Sequence, residues 1–290
     1  MQQRLGGQLE LLGQVGNFLK TVAIVGVGLI GGSFGLALRA AGFAGEILGV
    51  SSAEAIAAGM ARGAISAGAT LDEAAARADL LYLAQPVDRI LNTLKLLHGI
   101  ARPECLVTDA GSTKQEIVRR AAGLPFLGGH PMAGKERRGA EAAEAELFRD
   151  RPYVLTPEAA TPATVTREFR SWLEKLGARI LEMSPQEHDS AVALSSHLPQ
   201  LIATGLAATL NRHPNENLEK VVGPGLLDMT RLARSAPDLW LSILSTNQSD
   251  VLKALDDFQN TMTQIRKGVA ASNLADLFQA GSAFASKIRQ

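Results

Sequence analysis

An α/β dinucleotide-binding domain of the Rossmann type followed by an all-α helical domain is the fold this sequence predicts, on three observations. An apolar run at Thr21–Val25 breaks at Gly26-Val27-Gly28-Leu29-Ile30-Gly31 and resumes as a helix-compatible run through Leu38. Short apolar, strand-like runs then alternate with helical spacing as far as Met183. From Ser184 onward no strand-period run appears, and the rest reads as helix. The expected divisions are an N-terminal extension at 1–19, a dinucleotide-binding domain at 20–184 and a helical substrate and dimerisation domain at 185–290.

Each glycine of the turn has its own physical reason. Gly26 permits the sharp exit from the strand, Gly28 lets a pyrophosphate approach the backbone without meeting a Cβ, and Gly31 lets the helix lie close on the sheet. The first N–H groups of that helix, around Leu29 and Ile30, have no intrahelical acceptor and carry partial positive charge, so an anionic diphosphate is the expected guest. Three glycines at this spacing also fit a plain turn. The strand before and the apolar helix after put the dinucleotide reading ahead.

Glu46–Val50 reads as the second parallel strand, ending in Ser51-Ser52. An acidic residue at that strand end would accept hydrogen bonds from an adenosine ribose and repel a 2′-phosphate. Small hydroxyl side chains do neither, so the cofactor is read as NAD or NADP with NADP ahead, although no arginine follows and Glu54 is close. Leu80–Ala84 is the next buried strand, and Gln85-Pro86-Val87 at its end is placed where a cofactor ribose would lie, with a simple loop as the alternative. Ile90–Leu97 has helical spacing.

Cys105–Thr108 is a further strand, followed by Asp109-Ala110-Gly111-Ser112-Thr113-Lys114 and a helix from about Gln115. Ser112 or Thr113 is expected to cap that helix; a hydroxyl directed at substrate or nicotinamide is the sharper alternative for Ser112. Phe126–Gly129 delivers Gly128-Gly129-His130-Pro131-Met132-Ala133-Gly134, which holds an imidazole on rigid backbone with open space around it. A neutral histidine at a strand end can accept a proton at physiological pH, so His130 is read as functional. Lys135–Glu146 reads as a charged, solvated helix, and Arg151–Thr156 and Arg179–Met183 as two strands flanking a helix at Thr164–Leu176.

The helical half is read as Glu187–Leu194, Leu198–Leu210, Asn217–Val222, Leu239–Arg266 and Leu274–Ile288, punctuated by prolines. Its apolar content exceeds what one small bundle buries, which suggests an intertwined homodimer. His188 and His197 lie nine apart with no third ligand to complete a zinc set, so no metal is expected. His188 is read as a capping or core hydrogen-bonding residue, and Arg231 as paired with a carboxylate such as Asp228 or with that of a substrate.

Composition narrows the function classes. The 29 basic and 29 acidic residues cancel, which favours neither nucleic acid nor an anionic membrane as partner. The one cysteine, Cys105, excludes an intramolecular disulfide and reads as a buried structural thiol. No basic n-region precedes an apolar h-region at the N-terminus, and no run approaches the roughly 20 apolar residues of a membrane span, so a cytoplasmic location is expected.

GVGLIGGS, TDAGSTK, GGHPMAGKE, SSHLPQ and DMTRLARSAPDLW, in this order and spacing, resemble the prephenate/arogenate dehydrogenases of tyrosine biosynthesis over roughly residues 20–285. The resemblance implies an NAD(P)-dependent oxidative decarboxylation. Hydride leaves the ring carbon bearing the hydroxyl, CO₂ leaves the opposite carbon, and the ring becomes aromatic. It further implies that His130 polarises or deprotonates the hydroxyl, that Ser112 supports that hydroxyl and the nicotinamide, and that Arg231 clamps the ring carboxylate. His197, Gln200 and Trp240 then belong to the substrate side. Where many members of the family carry histidine this chain has Gln200, which leaves prephenate and arogenate both open, and Leu226-Leu227 replaces a common Phe-basic pair. No regulatory domain is expected after residue 290, which would leave tyrosine inhibition to the active site or the dimer interface. Two other readings compete: a hydroxyacid dehydrogenase, for which Lys220 and Lys253 are the only interior lysine candidates, and a non-catalytic NAD(P)-binding regulatory module.

Overall fold

The structure, a computed structural model, describes residues 19–135, 137–158, 161, 163–213, 215 and 217–289. The expected N-terminal extension therefore lies, through residue 18, outside the described residues. The chain divides into two compact units, the first running through Asp189 and taking in Ser235–Thr246, the second comprising Ser190–Arg234 and the chain from Asn247 onward.

The first unit begins with β1 (Thr21–Val25), α1 (Leu29–Ala40), β2 (Glu46–Val50), α2 (Ala53–Ala61), β3 (Ala67–Gly68), α3 (Leu71–Arg77), β4 (Leu80–Leu83) and α4 (Val87–Leu97). It continues with β5 (Leu106–Asp109), α5 (Gln115–Ala121), β6 (Phe126–Pro131), β7 (Pro152–Thr156), α6 (Ala163–Lys175) and β8 (Arg179–Glu182). The eight strands form one sheet in the order β3-β2-β1-β4-β5-β6-β7-β8. β1 to β6 pair in parallel, β7 is antiparallel to β6, and β8 runs parallel to β7.

Alternation along β1 sets the two sides of the sheet. Val22 and Ile24 point into a cluster with Phe34 and Leu38 of α1 and Phe169 and Leu173 of α6. Ala23 and Val25 point into the other, with Ala74 and Ala75 of α3, Ile90 and Leu94 of α4, and Ile117 of α5. Cys105 is fully buried beside β5, and burial pushes its thiol up to about 12.

Three of the expected helices change. Lys135–Glu146 is not a helix: among its described residues only Ala140–Ala142 form a single 3₁₀ turn. The expected helix at Leu239–Arg266 is broken at Asn247 into α10 (Pro237–Thr246) and α11 (Gln248–Ala270). α10 belongs to the first unit, where Ile243 is a core residue. Asn217–Val222, read as helix, supplies only a 3₁₀ turn at Glu219–Val221.

The second unit is helical. α7 (Pro185–Val192) crosses the division between the units, a π turn follows at Ala193–His197, and α8 (Leu198–Asn211), α9 (Pro224–Thr230) and α12 (Ala275–Lys287) complete the set with α11. The π turn has a local cause. Pro199 has no N–H to offer Ser195, and the Leu198 N–H reaches back to the Ala193 carbonyl instead. Contrary to the expectation of no such segment, Pro185–Asn211 (27 residues) is long and apolar enough to cross a membrane by length and composition. It carries His188, Asp189 and His197, each buried and hydrogen-bonded to protein groups. The second unit also exposes large apolar side chains, Val269, Phe278 and Phe284 each being more than 60% accessible.

Candidate active site

The order of strands reverses at β1, with β2 on one side and β4 on the other, so the crevice at their C-terminal ends is the position where an α/β sheet binds a ligand. Gly26 follows β1 with φ +99° while its N–H still donates to the Val50 carbonyl at 2.9 Å. A Cβ there would lie 2.8 Å from the Ala84 carbonyl oxygen. Gly28 caps α1 in extended backbone, and a Cβ built on it would meet nothing within 4 Å, so open space lies over the backbone at the helix start. A Cβ on Gly31 would collide with the Gly26 carbonyl and lie 2.7 Å from Ile24 Cγ2. These are the three demands a diphosphate cradle makes, and the residues present fit a dinucleotide. Gly31→Ala should force α1 off the sheet, weaken dinucleotide binding tenfold or more and cost about 1–3 kcal/mol; a titration and a thermal melt check both.

Around the turn, Leu29 and Ile30 are half-buried. Ser51 is exposed, whereas the Ser52 hydroxyl caps α2 by accepting the Ala55 N–H at 3.3 Å. Gln85 accepts from the Thr93 hydroxyl at 2.8 Å and Pro86 precedes α4. Val87 buries its side chain in the core, leaving only its backbone to meet a cofactor.

His130 is not on a loop. β6 continues through Pro131, and His130 pairs with Val154 of β7 and is buried. The glycines before it serve packing rather than open space: a Cβ on Gly129 would lie 2.6 Å from the Asp109 carbonyl, and one on Gly128 would collide with the Thr156 hydroxyl. His130 Nδ1 lies 2.8 Å from His188 Nε2, and His188 Nδ1 lies 2.7 Å from Asp189 Oδ1. Asp189 Oδ1 also accepts the Lys114 N–H at 2.7 Å, and its Oδ2 accepts the Gln115 N–H at 2.9 Å. Asp189 thus supplies the cap expected from Ser112 or Thr113. Ser112 is half-buried, Lys114 is the residue at the N-cap, and Thr113 bonds the Thr246 hydroxyl at 2.8 Å.

Below this chain sits a fully buried ion pair. The Lys114 ammonium bonds Asp109 and also donates to the Gly129 carbonyl at 2.6 Å, while Asp109 accepts the N–H groups of Gly111 at 2.7 Å and Gly129 at 3.0 Å. Burial pushes the Asp109 carboxyl up and the Lys114 ammonium down, each shift opposed by the other's charge. Burial also lowers His188, an effect the Asp189 hydrogen bond opposes and the Lys114 charge adds to. Asp109, Lys114, His188 and Asp189 had no assigned role in the sequence reading beyond structural bonding. The available signal was the adjacent His188-Asp189 pair where the helical half begins.

In the second unit His197 is buried and its Nδ1 accepts from the Asn247 amide at 3.3 Å. Gln200 donates to the Leu232 carbonyl at 2.9 Å, which brings α8 beside the 3₁₀ turn Arg231–Arg234; Arg231 itself is exposed. His197, Gln200 and Arg231 thus share one unit. Trp240, read as a substrate residue of the helical half, lies in the first unit, half-buried against core side chains.

Residues 34–182 match the family model described as prephenate dehydrogenase, nucleotide-binding domain, and residues 184–280 match prephenate dehydrogenase, dimerization domain. A prephenate dehydrogenase of Bacillus subtilis is 34% identical over 271 residues, covering 89% of this chain and 72% of that protein. The Aquifex aeolicus prephenate dehydrogenase, solved in complex with hydroxyphenyl propionate and NAD+, is 30% identical and superposes with a TM-score of 0.83 over 93% of this chain and 97% of that one. Synechocystis arogenate dehydrogenase, also 30% identical, gives 0.80 over 92% and 99%.

Proposed function

The chain belongs to the prephenate dehydrogenase family, and from that premise we propose which of its residues carry the reaction. The enzyme catalyses an NAD(P)-dependent oxidative decarboxylation in tyrosine biosynthesis, taking prephenate to 4-hydroxyphenylpyruvate or arogenate to tyrosine. The observation that carries our assignment is His130, an imidazole fixed on a strand of the same sheet whose β1 and β4 ends form the nucleotide crevice.

Gly26, Gly28 and Gly31, with the N–H groups at the start of α1, would hold the diphosphate. The bound dinucleotide supplies the hydride acceptor. His130 takes the proton of the ring hydroxyl as hydride leaves the same carbon. The electron pair of the breaking bond to CO₂ then passes through the ring to that oxygen, which recovers the proton from His130, so none is gained or lost overall. Ser112 orients the hydroxyl. Arg231 pairs with the ring carboxylate, and His197 and Gln200 meet the substrate side chain. Aromatisation drives the reaction; the protein supplies orientation and one proton acceptor.

NADP is preferred over NAD in this proposal, because Ser51 and Ser52 rather than a carboxylate follow β2. The exposed apolar side chains of the second unit suit a homodimer, and a cytoplasmic location completes the reading. Crossing prephenate and arogenate with NAD and NADP, and following reduced nicotinamide by absorbance, tests the reaction and the cofactor preference together. Turnover is expected, faster with NADP; no turnover in any pairing would reject the enzymatic assignment.

A further inference from the structure

We propose that His188 and Asp189 are positioning residues which fix His130 in one tautomer, with hydrogen on Nδ1 and the basic lone pair on Nε2. The inference rests on His130 being the proton acceptor of the reaction above, and its geometry lies wholly within the first unit.

The argument runs through donors and acceptors. Asp189 accepts two backbone N–H groups, those of Lys114 and Gln115, which can only donate. They hold its carboxylate with Oδ1 2.7 Å from His188 Nδ1, so that nitrogen carries the hydrogen. A neutral imidazole has only one N–H, and His188 Nε2 is therefore an acceptor. His130 Nδ1, 2.8 Å away, must donate to it. The remaining ring nitrogen of His130, Nε2, is then the one that can receive a proton. Once it does, the imidazolium keeps its Nδ1–H on His188, and Asp189 answers the new positive charge through the same chain of bonds.

His188 must stay neutral for this to hold, and its surroundings keep it so. It is fully buried, which disfavours its charged form, and the charged groups facing it are Asp189 from its own helix, Lys114 from the segment before α5 and Asp109 from β5. Lys114 and Asp109 bind each other, so Asp189 is the carboxylate that bonds His188.

The test is Asp189→Asn in the full chain, with ¹⁵N NMR of the imidazoles and the pH profile of kcat. Asparagine keeps an oxygen at the Oδ1 position, where the Lys114 N–H and His188 Nδ1–H both meet it, but removes the negative charge that answers an imidazolium. We expect the His130 signals, identified by their absence from a His130→Asn sample, to show Nδ1–H in the parent. We also expect kcat to fall by about 10²-fold or more with dinucleotide affinity unchanged, and the acid limb of its profile to move to lower pH. His188→Gln, whose amide can both accept and donate, should retain more activity than His188→Ala. A parent spectrum showing Nε2–H at His130 would overturn the inference even if the variants do not fold. So would a folded Asp189→Asn protein with unaltered kcat and pH profile. A parent enzyme that turns over neither substrate would instead count against the proposed reaction, and the tautomer would still be read from the spectrum.

Discussion

Exchanging His130 for asparagine should lower kcat by about 10²-fold or more and leave dinucleotide binding untouched, because an amide cannot take up a proton at any accessible pH. The choice of asparagine matters. His130 is buried on β6 and donates to His188 Nε2 at 2.8 Å, and an amide NH₂ can make that same bond, so the strand and its partner are not left with an orphaned acceptor. Loss of rate with an unchanged melting temperature therefore isolates the chemistry. Steady-state kinetics beside a cofactor titration decide the matter; a kcat within a few-fold of the parent would remove His130 from the mechanism.

The largest effect on stability is expected from Lys114→Met. Methionine fills a similar volume but leaves Asp109 fully buried without its cation, a situation that costs about 3–5 kcal/mol. For a unit of this size that is a fall in Tm on the order of 10 °C. The pH dependence follows from sign. Burial already raises the Asp109 carboxyl above its ordinary value, and without Lys114 nothing cationic opposes that shift. A carboxyl whose folded pKa exceeds its unfolded one binds more protons folded than unfolded, so stability falls as pH rises through that interval. The deficit of Lys114→Met should thus grow from acid toward neutral pH, and chemical denaturation at several pH values measures it. A deficit that is constant with pH would mean that Asp109 does not carry the charge in question.

The first half of the fold was legible because its signals are local. Gly26, Gly28 and Gly31 state their backbone requirements within six residues, and the strands alternate with helices at ordinary spacing. The hidden parts involve partners distant in sequence. His130 and His188 are 58 residues apart and Lys114 and Asp189 are 75 apart, so no window of sequence displays either bond. His188 read as a structural residue for that reason. Gly128 and Gly129 read as open space because a sequence does not say what a missing Cβ would have struck, here the Thr156 hydroxyl and the Asp109 carbonyl, whereas a Cβ on Gly134 does meet open space. The helix expected across Asn247 failed for a similar reason. Its apolar periodicity is continuous, yet Ile243 is claimed by the core of the first unit while the chain from Asn247 belongs to the second, and Asn247 leaves helical geometry with φ −127° and ψ 33°.

The sealed thiol beside β5 gives the molecule a built-in reporter. Alkylating reagents attack thiolate, and Cys105 is both shielded and held almost entirely in its protonated form at neutral pH. The reagent can reach sulfur only when the structure around it opens, so the speed of labelling follows opening at the start of β5, with no probe introduced and no other cysteine to confuse the signal.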